Sequence, residues 1–288
     1  MAGKPLSVHR AGLWLGQITS RSESTLRITI GLAIACLSIV FPAAGAQAER
    51  CPQLFAGGDA PALNKPSLAE GTTQLCNRAF AVLHSSRTRT PLWSAERLTR
   101  ASVTAARNYD QRSNRFHTDP RLLPSDRAEL SDFERSGFDR GHMAPSGDMV
   151  DAESDYESFS LANIAPQAPS LNRNGWADLE QYVRGLTMTL GETYVVTGPL
   201  YEGATIKTLK GRVLIPTSYW KAVWSRGQGA GAWIATNAAK PVWQVVSIAE
   251  LTRRTGIDPF PQLDRATRAK VPAFPTFDRT KSSRRSRP

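Results

Sequence analysis

Cysteine is scarce in this chain, with three in 288 residues, and histidine nearly as scarce, with four. Neither Cys51 nor Cys76 has a Cys or His close by, which excludes a zinc signature there. No apolar run reaches the ~20 residues of a membrane span; the clearest, residues 28–41, has 14 residues without a charge. No internal repeat is visible, which argues against a solenoid. Hydrophobic residues at 41% and charged ones at 21% exclude collagen-like, low-complexity and polytopic membrane classes. Acid is the minority charge, with 25 Asp+Glu against 36 Lys+Arg, a net +11. A basic chain suits polyanions, either nucleic acid or an anionic membrane surface, and charge alone does not choose between them.

The first 48 residues read as a targeting segment. Lys4, Arg10, Arg21 and Arg27 precede the apolar run, and Ala46 and Ala48 form an A-x-A site behind it. This predicts a secretory signal peptide over residues 1–48, cleaved before Glu49. The product would be secreted or periplasmic, with no stable membrane insertion after cleavage. The rival reading is an organellar transit peptide leading to the mitochondrial intermembrane space, because Ser and Arg are frequent and Glu23 is the one acid. The mature chain would keep 32 Lys+Arg against 24 Asp+Glu, a net +8. It would also keep Cys51 and Cys76, which in an exported chain most simply pair; two free thiols are the alternative.

The mature chain divides into an N-terminal surface arm (49–75), a main domain (76–275) and a basic disordered tail (276–288). Residues 78–85 and 91–99 alternate apolar and polar and predict a hairpin. Residues 107–138 are polar and broken by proline, which predicts a long loop. Trp176, Leu179, Val183 and Leu186 recur at helical steps and predict a helix over 171–190. Strands are expected at 193–197, 213–215, 219–224, 232–235 and 242–248, and a short helix at 249–255 stopped by Gly256. Strands around one clear helix make an α+β fold with a mixed or antiparallel sheet, not an alternating doubly wound one.

His84, His117 and His142 lie beyond the targeting segment. His142 sits in Asp139-Arg140-Gly141-His142-Met143-Ala144-Pro145, where an acid, an arginine and an imidazole fall within four residues. In an extended segment Arg140 and His142 share a face. That face would present a cation to a phosphate and a base to a water. Asn163-Ile164-Ala165-Pro166-Gln167 follows, and then the run from Leu171 to Glu180. Asn172 and Glu180 are eight apart and roughly share a helical face. An amide oxygen suits Mg²⁺, which keeps several waters. The alternative makes Asn172 a helix N-cap and Glu180 a solvated acid, and spacing alone leaves both open.

Three blocks in order, with 21 residues from His142 to Asn163 and nine from Asn163 to Asn172, resemble the DNA/RNA non-specific endonucleases. These are the endonuclease G-like proteins with a ββα-metal active site. The resemblance runs over about residues 75–260. It implies that His142 is the general base, that Asn172 is the direct protein ligand of one Mg²⁺ (Mn²⁺ can stand in), and that Glu180 holds a water of that ion. It further implies that Asn163 helps position the site and that Arg140 faces the phosphate. An upstream arginine also contacts the scissile phosphate in the family, and Arg115 is the candidate here; His117 reads as a loop residue. The expected partners are DNA and RNA, held through their phosphates, with a homodimer as a candidate assembly and 5′-phosphate ends as products. The second function class is a catalytically inactive nucleic-acid-binding protein of the same fold, against which the intact His142, Asn172 and Glu180 argue.

Overall fold

The computed structural model describes residues 51–109, 111–271 and 274. The expected targeting segment and basic tail lie outside the described residues. Among the described residues nine strands have four or more residues: β1 (Thr72–Cys76), β2 (Phe80–Ser85), β3 (Thr90–Thr99), β4 (Asp139–His142), β5 (Ile164–Gln167), β6 (Glu192–Leu200), β7 (Ser218–Ser225), β8 (Gly229–Thr236) and β9 (Trp243–Val246). The main helices are α1 (Arg100–Tyr109), α2 (Ala152–Ser158), α3 (Ala177–Leu190) and α4 (Ile248–Thr255).

Seven strands form one sheet in the order β9-β8-β7-β6-β3-β2-β1. Every neighbouring pair is antiparallel, so the fold is α+β with an antiparallel core. Alternation sends successive residues to opposite faces. On β2, Phe80 and Val82 pack with Leu122, Met149 and Ala162, while Ala81 and Leu83 join Trp93 and Trp220 on the other side. Both faces are covered, which is why β6 to β8 carry long apolar runs rather than a clean polar alternation.

The N-terminal segment departs from its expected role as a surface arm. Cys51, Leu54, Phe55 and Ala56 are buried in the main hydrophobic core, with Phe55 edge-on to Trp93 at 5.9 Å. Ala62 and Leu63 pair with Asp258 and Ile257, and β1 is the edge strand of the sheet. The Gly, Pro and Ala of this stretch read as loop, but a few large side chains anchor it. A disulfide joins Cys51 to Cys76, with Cα atoms 5.9 Å apart, and ties the segment to β1.

The site is carried on the opposite face. There Leu179, Val183 and Leu186 of α3 pack against Val195, Tyr219, Val223 and Trp233. The small antiparallel pair β4–β5 precedes α3 in sequence, giving a strand–strand–helix unit braced on the sheet. The expected helix over 171–190 has two parts: a π-helical turn over Leu171–Trp176 and then α3. Among the described residues no helix is long and apolar enough to cross a membrane.

Candidate active site

Within β4–β5, Arg140 faces Pro166, Gly141 faces Ala165 and His142 faces Ile164 across the pair. Gly141 is required by close approach: a Cβ there would fall 2.3 Å from Gln167 Oε1 and 2.6 Å from Gln167 Cβ. Asn163 is fully buried. Its Oδ1 accepts from Ser94 Oγ (2.8 Å) and the Ala144 amide (3.0 Å), and its Nδ2 donates to the Ala144 and Ser158 carbonyls (2.8 and 2.9 Å). Those four bonds saturate the amide. Asn163 thus clamps the chain two residues beyond His142.

His142 is buried, with its ring edge-on to Phe159 at 4.8 Å and tilted toward Phe116 at 5.5 Å. Its Nε2 has no hydrogen-bond partner. Burial pushes its pKa down, and the Arg112 charge pushes it further, to about 3. The imidazole is therefore neutral, with an unused nitrogen, and aromatic packing orients it.

Asn172 stands in the π-helical turn, a geometry found often at functional sites. Close packing on this turn is visible at Gly175, where a Cβ would meet the Trp243 ring at 2.9 Å. The Asn172 Nδ2 donates to Asp139 Oδ2 at 3.0 Å, and Arg173 donates to both oxygens of the same carboxylate at 2.8 and 2.6 Å. With the amino end of the amide held by Asp139, the carbonyl oxygen is the end left for a ligand. The hydrogen bonds from Arg173, aided by Asn172, keep the Asp139 carboxyl below its usual range against the effect of burial.

A cavity of about 260 Å³ gathers these groups; His142, Asn172, Glu180, Arg112 and Arg184 line it. Glu180 is half-buried, and burial lifts its pKa to about 7 against the opposing charges of Lys221 and Arg184. Arg184, four residues further along α3, donates to Asp148 at 2.9 Å. Beneath them Glu96 is buried with both carboxylate oxygens unpaired. Burial, with the Asp148 charge, drives its pKa well above the usual carboxylate range. Lys221, also buried, donates to Thr197 Oγ1 at 2.6 Å.

Arg115 does not reach this cavity. Its guanidinium lies over the Tyr156 ring at 4.9 Å, and Arg112 lines the cavity instead. Asp155 fixes the loop in that register: it accepts from the Ser113 amide at 2.6 Å and from Ser146 Oγ at 2.5 Å. His117 stacks on Tyr156 at 4.1 Å, in keeping with a loop residue. Arg140 shares the His142 face of β4, but its guanidinium lies over Phe116 at 5.0 Å and borders a neighbouring cavity.

Among the described residues no group of three or more His, Cys, Asp or Glu side chains is placed to hold a metal. The 260 Å³ cavity offers one amide oxygen, from Asn172, and one carboxylate, from Glu180. Hard oxygen donors in such small number fit a cation that keeps most of its water, as Mg²⁺ does.

Reading the sequence missed Arg184, Asp148 and Glu96. Arg184 had a signal, since i and i+4 share a helix face and Glu180 was already singled out. Asp148 and Glu96 had none, because one lies in a loop and the other on a distant strand.

The model of the DNA/RNA non-specific endonuclease family matches residues 59–266. Nuclease C1 of Cunninghamella echinulata var. echinulata is 32% identical over 209 residues, covering 66% of this chain and 83% of its own length. Mitochondrial endonuclease G of Bos taurus is 36% identical over 215 residues, covering 70% of this chain and 71% of its own. A solved structure of the EndoG/EndoGI complex, concerned with EndoG inhibition, superposes with a TM-score of 0.62 at 29% identity over 67% of this chain and 88% of that one.

Proposed function

Since this chain belongs to the DNA/RNA non-specific endonucleases, we propose that it is an exported, Mg²⁺-dependent nuclease that hydrolyses the phosphodiester bonds of DNA and RNA, with His142 as general base. The observation that carries the reading is the single cavity bordered by a neutral imidazole, an oriented amide, a carboxylate and two arginines.

Hydrolysis needs a base for water, compensation for charge on the phosphorus oxygens and help for the leaving oxygen. The buried imidazole of His142 is neutral at physiological pH and free to take a proton. A base depressed to about 3 is weak. Burial is the larger cause of that depression; an anionic phosphodiester beside Arg112 would offset the smaller part due to Arg112 and so raise the proton affinity of His142 when substrate is bound. Arg112 and Arg184 would neutralise phosphate oxygens, and Arg140 would face the backbone. A bound Mg²⁺, or Mn²⁺ in its place, would supply Lewis-acid stabilisation of the phosphate and the leaving 3′-oxygen. Asn172 Oδ1 would hold the ion directly, with Asp139 fixing the amide, and Glu180 would hold it through water. Contacts to phosphates carry no sequence information, in keeping with non-specific cleavage. The expected ends are 5′-phosphate and 3′-hydroxyl.

Nicking of plasmid DNA and cleavage of RNA in Mg²⁺, both abolished by EDTA, are the expected results. Binding without cleavage would favour an inactive nucleic-acid-binding protein. Export is proposed from the first 48 residues; relatives named as mitochondrial nucleases supply the organellar alternative. A reporter fused behind residues 1–48 separates the two. A homodimer is proposed as the assembly, and sedimentation at two concentrations tests it.

A further inference from the structure

A second cavity, of about 280 Å³, adjoins the catalytic one. Phe116, Phe133 and Phe138 give it apolar walls, and Arg112, Arg140 and Asn172 give it a polar edge. Arg112 and Asn172 border both cavities. The Arg140 guanidinium lies 5.0 Å from the Phe116 ring and 5.7 Å from the Phe133 ring. Its Nε is buried without a hydrogen-bond partner. Asp139, the one acid in the wall, is already engaged by Arg173 and Asn172. The cavity therefore combines flat apolar surface with uncompensated positive charge.

We propose that this cavity receives the base of a nucleotide adjoining the scissile phosphate, stacked against Phe138 beside the Arg140-covered Phe116 ring, with Arg140 on that nucleotide's own phosphate. The proposal rests on the endonuclease reading and adds a base subsite to it. A nucleotide is a flat π-system joined to an anion, which matches three phenyl rings beside two guanidiniums. Arg140 and His142 are two residues apart on one face of β4, about 6.6 Å along a strand, so Arg140 addresses the phosphate next to the one His142 serves. Stacking tolerates every base, because each has a π-face, so the subsite is compatible with sequence-independent cleavage. A base can enter only by leaving the duplex stack, so single-stranded and unpaired stretches are the preferred substrates.

The test uses the full chain and short competitors of plasmid nicking: a 5′-phosphorylated thymidine dinucleotide and its two analogues lacking one base or the other. The expected result is that one base-free analogue inhibits more weakly than the parent by about 5- to 150-fold, the range of one base–aromatic stack. Phe138→Leu, which keeps an apolar wall without a π-face, should bind the parent dinucleotide as weakly as that analogue and make the missing base immaterial. Phe138→Tyr should restore the difference. Equal inhibition by all three competitors overturns the proposal, and so does a base-free penalty that Phe138→Leu leaves intact. If the wild-type chain does not nick plasmid in Mg²⁺ at all, the endonuclease reading fails first and takes the subsite with it. If it nicks normally while the competitors are equal, the subsite alone fails.

Discussion

Asp139 accepts a hydrogen bond from the side-chain amide of Asn172 at 3.0 Å, across 33 residues of sequence. This contact decides which end of the amide is left for a ligand. Partners of this kind around a metal ligand typically affect metal affinity by 10–100-fold. Asp139→Ala should therefore raise the Mg²⁺ concentration for half-maximal nicking by about 10- to 100-fold, with the rate recovered at high Mg²⁺. A Mg²⁺ titration of both proteins checks it, and an unchanged midpoint would remove Asp139 from the account.

The depressed pKa of His142 links folding to pH. Between its ordinary value of 6.5 and the folded value of about 3, the unfolded chain binds a proton that the folded chain refuses. Stability therefore falls as pH drops through that window. Urea melts at pH 7, 5 and 4 should show a smaller acid loss in His142→Ala than in wild type. Parallel losses would mean that the imidazole is not held neutral.

Glu180 has the opposite sign. Its folded pKa of about 7 lies above the ordinary 4.5, so the folded metal-free chain loses stability as pH rises from 4.5 to 7. Glu180→Gln should stabilise the metal-free protein at pH 8 by on the order of 1–3 kcal/mol and slow nicking. Mg²⁺ should raise the melting temperature of wild type more than that of the variant. A destabilised Glu180→Gln would contradict the cost assigned to the carboxylate.

Closing a loop with a sequence separation of 25 between Cys51 and Cys76 is worth about 3 kcal/mol in the unfolded-chain account. Replacing both cysteines by serine should lower stability by about that amount while leaving nicking unchanged at low temperature, since neither residue lines the site. Alkylatable thiols at Cys51 and Cys76 in the native protein would show that the bond does not form.

How much of this was legible in the sequence depends on the range of the interactions involved. The stripe of Trp176, Leu179, Val183 and Leu186 announced α3, because one helix face packs on one core. Strand alternation announced most of the sheet, and Gly256, at φ 75°, ends α4 as expected. Helices α1 and α2 were overlooked because they are short and polar; the Asp151–Ser154 capping box of α2 was the available signal. The residues of the site were legible as blocks, but their environment was not. The choice between Arg112 and Arg115 turns on an irregular loop whose register Asp155 fixes from 42 residues away. The burial of Cys51, Leu54, Phe55 and Ala56 depends on partners such as Trp93, which composition does not reveal.

In the proposed mechanism His142 and Asn172 divide the labour between base and metal, and the nicking rate of wild type, His142→Ala and Asn172→Ala over a Mg²⁺ titration separates the two roles. Loss of a general base costs about 10²- to 10⁴-fold in rate. His142→Ala should stay slow at every Mg²⁺ concentration, while Asn172→Ala should recover part of its rate as Mg²⁺ rises because its defect is in holding the ion. Near-wild-type rates in folded His142→Ala, or an Asn172→Ala defect that no Mg²⁺ concentration relieves, would contradict it.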